Sequence, residues 1–204
     1  MKADAGDGDS TGKQTLFTDT YKVGETAVTG TDLADYAKSI ECKDESDGSK
    51  VVASGPGASL NVEVTNGSDI VCTITNTRNT GSLKITKVFN NPDGYTLPAD
   101  FVFVIDVDCV GDSRDFNVRF DGSDSTTITG VPTGDCTFSE RALTDPDGWT
   151  WASPVYDPAA KTVTVVKGET AEAKVTNEIT RDRGSLQITK VFNNPDGYTL
   201  PADF

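Results

Sequence analysis

The sequence predicts an all-β protein of tandem β-sandwich modules, on three observations. Short alternating runs rich in Val, Ile, Thr and Phe recur between turns of Pro, Gly, Asn and Asp, the pattern of half-buried strands. The stretch GSLKITKVFNNPDGYTLPADF at 81–101 returns at 184–204 as GSLQITKVFNNPDGYTLPADF, with Lys84 replaced by Gln187. Four cysteines fall two to each stretch of about one domain length. The copies are offset by 103 residues, which makes the chain a window on a repeat array. Residues 81–183 read as one complete β-sandwich repeat. Residues 1–80 read as the rear part of a preceding repeat lacking its first strands, and 184–204 as the first strand segment of a following one.

Each element follows from local pattern. In the first unit TYKVGETAV and DIVCTITNT alternate as strands, while TDLADYAKSI is the one stretch that suggests helix, a turn or two of it. In the second, SLKITKVF, DFVFVIDVDC, CTFSERAL, KTVTVV and AEAKVTN read as strands. NNPDG, DGSD, DPDG and VKGE separate them as turns. Residues 77–80 and 180–183 join the units and are too short for flexible linkers, so successive modules should sit end to end with restricted bending.

Composition removes several classes of function. With 18 basic and 32 acidic residues the formal net charge is −14, which argues against nucleic acid or an anionic membrane as partner. There is no histidine, so the usual catalytic triads and the commonest metal ligand are missing. No apolar run approaches a membrane span, and the residues after Met1 are not a signal peptide, so an export signal would lie outside this window. Cys42 and Cys72 are 30 residues apart, Cys109 and Cys136 are 27 apart, and neither spacing is a zinc pattern. One disulfide per unit, Cys42–Cys72 and Cys109–Cys136, is the favoured reading over four buried thiols, and points to an oxidising compartment. Each such bridge closes a loop of about 30 residues and stabilises by roughly 3–4 kcal/mol. The acidic DAGDGDS from Asp4 lacks the closing glutamate of a calcium loop, and NNPDGY and DPDGW read as turns rather than metal sites. No metal and no cofactor is expected.

Alternation also assigns faces, and three polar residues land on inward rows. The row Leu83, Ile85, Lys87, Phe89 carries a lysine; Cys136, Phe138, Glu140, Ala142 a glutamate; and Ala171, Ala173, Val175, Asn177, Ile179 an asparagine. Taken singly, each reads as a strand-end residue snorkelling to water. Taken together they invite a joint explanation. Burial drives a lysine toward its neutral, nucleophilic form and a glutamate toward its acid form. The acid can polarise the Asn177 carboxamide and pass a proton to departing ammonia. The product would be a Lys87–Asn177 amide between the first and last strands. The first unit repeats two parts, Glu25 after Tyr21 and Val23, and Asn76 after Ile70, Cys72 and Ile74. Lys13 and Lys22 lie outside any GSLxITK context.

GSLKITKV, CTFSERA and VTNEI together resemble the collagen-adhesin B-type, prealbumin-like repeat domains of Gram-positive surface adhesins and pilins. The cysteine-bearing CTITNTR ending is similar to their actinobacterial relatives. The resemblance spans 81–180 and the first unit from about Thr15. It implies prealbumin-like, immunoglobulin-like sandwiches, with Lys87 as amine donor, Glu140 as catalytic acid and Asn177 as acceptor. The cysteine pairs would either accompany or replace that clamp.

The resulting expectation is a structural one: stalk repeats of an extracellular, cell-wall-attached adhesin or pilus-like protein, stabilised by disulfides and Lys–Asn isopeptide bonds. Any chemistry would be a single autocatalytic event, not enzymatic turnover. Partners are the neighbouring repeats and, through 184–204 with Lys190 meeting Glu25 and Asn76, a second copy head to tail. The alternative is a module binding glycan or host protein through Trp149 and Trp151, which share a strand face. Their packing into the sheet is the plainer reading.

Overall fold

The computed structural model describes residues 6–114 and 116–203, and in them the alternating runs form fourteen strands. Asp4 of the acidic stretch lies outside the described residues. The first five strands are β1 (Asp19–Gly24), β2 (Tyr36–Asp44), β3 (Lys50–Pro56), β4 (Ser59–Val64) and β5 (Ile70–Arg78). β1 pairs with β4, and β3, β2 and β5 form a second sheet in that order, all antiparallel. Ile40, Cys42 and Val62 are buried between them, with Tyr21, Val23, Leu60, Ile70 and Ile74 partly buried alongside. β5 is an edge strand among the described residues.

TDLADYAKSI holds only a single 3-10 turn, Leu33–Asp35, capped by the Asp32 side chain accepting from the Ala34 amide at 2.8 Å. Helix stops there because β2 pairs with β5 over nine positions, and Ile40 and Cys42 on its inward row are buried. Tertiary pairing outweighs a weak local preference.

The remaining strands are β6 (Thr80–Asn90), β7 (Phe103–Cys109), β8 (Phe116–Phe120), β9 (Asp124–Pro132), β10 (Gly134–Glu140), β11 (Trp149–Trp151), β12 (Val155–Asp157), β13 (Thr162–Val165) and β14 (Thr170–Arg181). One sheet runs β13-β10-β7-β8; the other runs β11-β14-β6-β9, with β12 also on β14. Their inner faces enclose Leu83, Ile85, Phe103, Ile105, Phe138 and Val175, a sandwich core. β6 and β14 lie side by side and parallel, from Ser82 opposite Thr170 to Asn90 opposite Glu178. The opening and closing strands of this sandwich are therefore direct neighbours.

Both expected disulfides are present. Cys42 stands directly opposite Cys72 on β2 and β5, and Cys109 opposite Cys136 on β7 and β10. β5 passes into β6 through Asn79 alone, and that joint is tied on both sides. The Asn79 amides donate to the Asp35 carbonyl (backbone, 2.8 Å) and the Ala34 carbonyl (side chain, 3.0 Å), and its carbonyl accepts from Thr133 N–H at 3.0 Å. Arg78 donates to the Tyr36 hydroxyl at 3.0 Å and to the Thr133 carbonyl.

Beyond β14 no strand forms in 184–203, where Leu186, Ile188 and Val191 are more than four-fifths exposed. The NPDGY turn persists there nonetheless. Asn194 and Tyr198 exchange two hydrogen bonds of 2.6 Å, as Asn91 and Tyr95 do with two of 2.7 Å. That turn is written locally, through an asparagine side chain bonding the backbone of the tyrosine four residues on.

Candidate functional site

The three inward polar residues of 81–183 converge between the two sheets. On β6, Lys87 follows Leu83 and Ile85; on β14, Asn177 follows Ala173 and Val175. Parallel register sets Lys87 opposite Val175 and Phe89 opposite Asn177, so the lysine and the asparagine are diagonal neighbours on one face. Glu140 ends the row Cys136, Phe138 on β10 and enters from the facing sheet. Lys87 and Asn177 are each 1% exposed, and the Glu140 side chain likewise.

The Lys87 Nζ donates to Asn177 Oδ1 and, at 3.1 Å, to the Val88 carbonyl. It lies 3.6 Å from Glu140 Oε1 and 4.0 Å from the centroid of the Phe103 ring. Phe103 in turn packs against Phe89, Phe101 and Trp151, with ring centroids 4.9–5.8 Å away. These aromatics wall the site from water. Burial pulls the Lys87 ammonium down from 10.5 to about 8, against the opposing charge of Glu140. Burial also pushes the Glu140 carboxyl up from its ordinary value, against the pull of Lys87 and Asn177. Both shifts favour moving one proton from the amine to the acid. Both Glu140 oxygens and Asn177 Nδ2 are buried without a hydrogen-bond partner of ordinary geometry, an arrangement that calls for an explanation. Such a set brings an amine of lowered basicity against an amide, with a carboxyl of raised pKa beside both.

In the first unit the structure brings Glu25 and Asn76 together, Asn76 Nδ2 donating to Glu25 Oε2 at 2.8 Å. Asn76, matched by its row to Asn177, is exposed where Asn177 is buried, and among the described residues β5 has no strand along its outer edge. Ala142, also expected on an inward row, lies exposed just beyond β10. Lys13 pairs with Asp69 at 2.7 Å, Lys22 faces outward on β1, and Lys190 is exposed in 184–203. Trp149 and Trp151 are half-buried, packing on Tyr95 and on Phe89 and Phe101 respectively. Among the described residues no cluster of three or more His, Cys, Asp or Glu could hold a metal, and no helix is long and apolar enough to cross a membrane.

The aromatic wall was not among the sequence-level candidates. Its signal was available in FVFVIDV, where Phe101, Phe103 and Ile105 share a row facing the lysine row.

Comparison with known proteins gives matches at two levels. Residues 83–180 match the family model of a domain of unknown function (DUF5979), and residues 4–78 that of a prealbumin-like fold domain. No curated protein matches the chain. Among solved structures, a bacterial adhesin from Mobiluncus mulieris containing intramolecular disulfide, isopeptide and ester bond cross-links is similar at 16% identity and a TM-score of 0.36, covering 71% of this chain and 85% of its own. The minor pilin GBS52 of Streptococcus agalactiae is similar at 11% identity, TM-score 0.32, over 76% of this chain and 87% of that one. The major pilin T-13 of Streptococcus pyogenes is similar at 15% identity, TM-score 0.34, over 80% and 66%. The match over residues 4–78 is to prealbumin-like fold domains, the kind that the sequence motifs resemble.

Proposed function

We propose that this chain is a load-bearing spacer of an extracellular, cell-wall-attached adhesin or pilus-like protein, built of repeats at 1–80, 81–183 and 184–204. The observation that carries the reading is the buried Lys87–Glu140–Asn177 set spanning neighbouring first and last strands. Disulfides in both units support an oxidising, extracellular setting. The neutral Lys87 amine attacks Asn177 Cγ while protonated Glu140 hydrogen-bonds the carbonyl oxygen and stabilises its developing charge. Glu140 takes the proton shed by the attacking nitrogen and gives one to the leaving Nδ2. The new Nζ–Cγ bond replaces Cγ–Nδ2, ammonia departs, and Glu140 ends as it began. Proximity within a closed core supplies most of the acceleration. The event happens once per molecule, so the role is structural rather than enzymatic.

Intact mass, reduced and non-reduced, tests this directly. The chain should be lighter than its sequence by one ammonia in reductant, and additionally by the hydrogens of two disulfides without it. Glu140→Gln should restore the ammonia. A folded protein at full sequence mass with a reactive Lys87 amine would overturn the proposal.

A further inference from the structure

The Glu140 carboxyl is aimed by little besides the backbone that carries it. Both its oxygens lack a hydrogen-bond partner of ordinary geometry, although Lys87 Nζ is 3.6 Å away. Glu140 is also the last residue of β10, and strand ends open before strand centres do. On the side toward β7 the hold is ordinary. The Arg141 N–H donates to the Val104 carbonyl at 2.9 Å, and the Arg141 guanidinium grips both Asp106 oxygens, each at 2.9 Å. On the other side the ladder runs out. The Phe138 N–H donates to the Lys161 carbonyl at 3.0 Å, but β13 begins only at Thr162. Residues 158–161 form a turn instead, closed by the Lys161 N–H donating to the Pro158 carbonyl at 2.9 Å. The Glu140 N–H, two residues on and pointing the same way, therefore meets no strand. The Tyr156 hydroxyl takes that bond, accepting it at 3.2 Å.

Tyr156 comes from the sheet opposite Glu140. It lies on β12, where it stands opposite Val175 of β14, and Val175 in turn stands opposite Lys87 of β6. Tyr156, Val175 and Lys87 thus form one line across three strands, level with the reacting groups. The Tyr156 ring packs on Phe138, centroids 6.0 Å apart, and the Lys161 ammonium sits over it at 4.2 Å. We infer that the Tyr156 hydroxyl is a positioning group for amide formation: by holding the end of β10 it sets the Glu140 carboxyl against Lys87 and Asn177. The inference rests on the Lys87–Asn177 reaction proposed above. Amine and acceptor belong to one sheet and the acid to the other, so their alignment depends on what ties the sheets together at that level. The Tyr156–Glu140 bond is such a tie. A displacement of about 1 Å at a reacting group can cost on the order of a hundredfold in rate.

The test compares Tyr156→Phe with the parent, both as full chains recovered unfolded and unlinked from inclusion bodies and then refolded. Fluorescence of Trp149 and Trp151 follows folding, and intact mass of quenched aliquots follows ammonia loss. The variant keeps the ring and its packing, so it should fold at the parent's rate while losing ammonia at least about tenfold more slowly. The alkaline limb of its pH profile should also move to lower pH, because a Glu140 carboxylate set further off supports the Lys87 ammonium less. Loss of stability alone would leave that limb in place. Lys161→Ala removes the cation over the ring but not the hydroxyl, and should lose ammonia at the parent's rate. A measurement that needs no variant is amide exchange in the parent, where the Glu140 N–H should be as protected as that of Phe138. The inference is overturned by Tyr156→Phe bonding at the parent's rate or slowing only as much as its folding does. It is equally overturned by a Lys161→Ala chain as slow as Tyr156→Phe, or by a fast-exchanging Glu140 amide. The two readings fail differently: a parent lighter by one ammonia with Tyr156→Phe just as fast sinks this inference alone, and a folded parent at full sequence mass sinks both.

Discussion

Replacing Lys87 with methionine isolates the contribution of the proposed clamp. Methionine fills a similar unbranched volume, brings no charge into the apolar wall, and cannot form the amide. The crosslink joins positions 90 residues apart, and the Cys109–Cys136 bridge already removes 27 of those from the free loop. A constraint on the remaining loop of about 60 residues lowers the entropy of the unfolded chain by the equivalent of roughly 4 kcal/mol. A domain of about 100 residues unfolds with an entropy near 0.2 kcal/mol/K, so the transition of the second sandwich should fall by about 20 °C. Differential scanning calorimetry of the full chain measures it. The first unit has its own apolar cluster and provides an internal reference. Glu140→Gln should fall at least as far, because it leaves an unlinked lysine buried without its counter-charge. If Lys87→Met melts within a few degrees of the parent, the clamp contributes nothing and the reasoning is refuted.

Two further outcomes follow from the same geometry. Bond formation during refolding should show a bell-shaped pH dependence: the reactive pair holds one proton, a second blocks the amine at acid pH, and above about 8, where Lys87 titrates, the pair loses the proton Glu140 must hold. Mass spectrometry of refolding aliquots follows the ammonia loss, and a rate still climbing toward pH 10 would remove Glu140 from the role of acid. Gly81→Ala should destabilise the second sandwich by about 1–3 kcal/mol, since a Cβ there would sit 2.8 Å from the Glu169 carbonyl and press on Val166. Gly184→Ala, with open space around it, should leave urea unfolding unchanged.

The period of two made much of this legible in advance. It placed Lys87, Glu140 and Asn177 on inward rows because one face of each strand must be apolar, and a long polar residue there stands out. The cysteine pairs were legible from their division between units. What alternation does not encode is which strand lies beside which. That Phe103 comes over the Lys87 ammonium depends on β7 facing β6 across the sandwich, a tertiary fact. Asn76 shows the opposite limit. Its row predicts cover, but cover comes from a neighbour, and the row is silent on whether that neighbour is present. The joint at Arg78 and Asn79 was legible only as a short connection; its bonds to Ala34, Asp35 and Thr133 join residues 44 or more apart from the partner strand's turn and could not be read locally.

The parallel neighbourhood of β6 and β14 has a consequence for extension. Tension entering at Thr80 and leaving at Arg181 draws two parallel strands past each other along their axes, so their ladder of backbone bonds is loaded in shear as a set rather than peeled singly. With an amide between Lys87 and Asn177, the shortest covalent route through the module runs along the start of β6, across, and on in the same direction along the end of β14. The intervening residues 88–176 then drop out of the path of the force. At about 3.4 Å per residue they hold back roughly 300 Å of contour length that stretching cannot release. A string of such modules would behave as a cord of nearly constant length, transmitting tension without the sawtooth lengthening by which unlinked sandwiches absorb it.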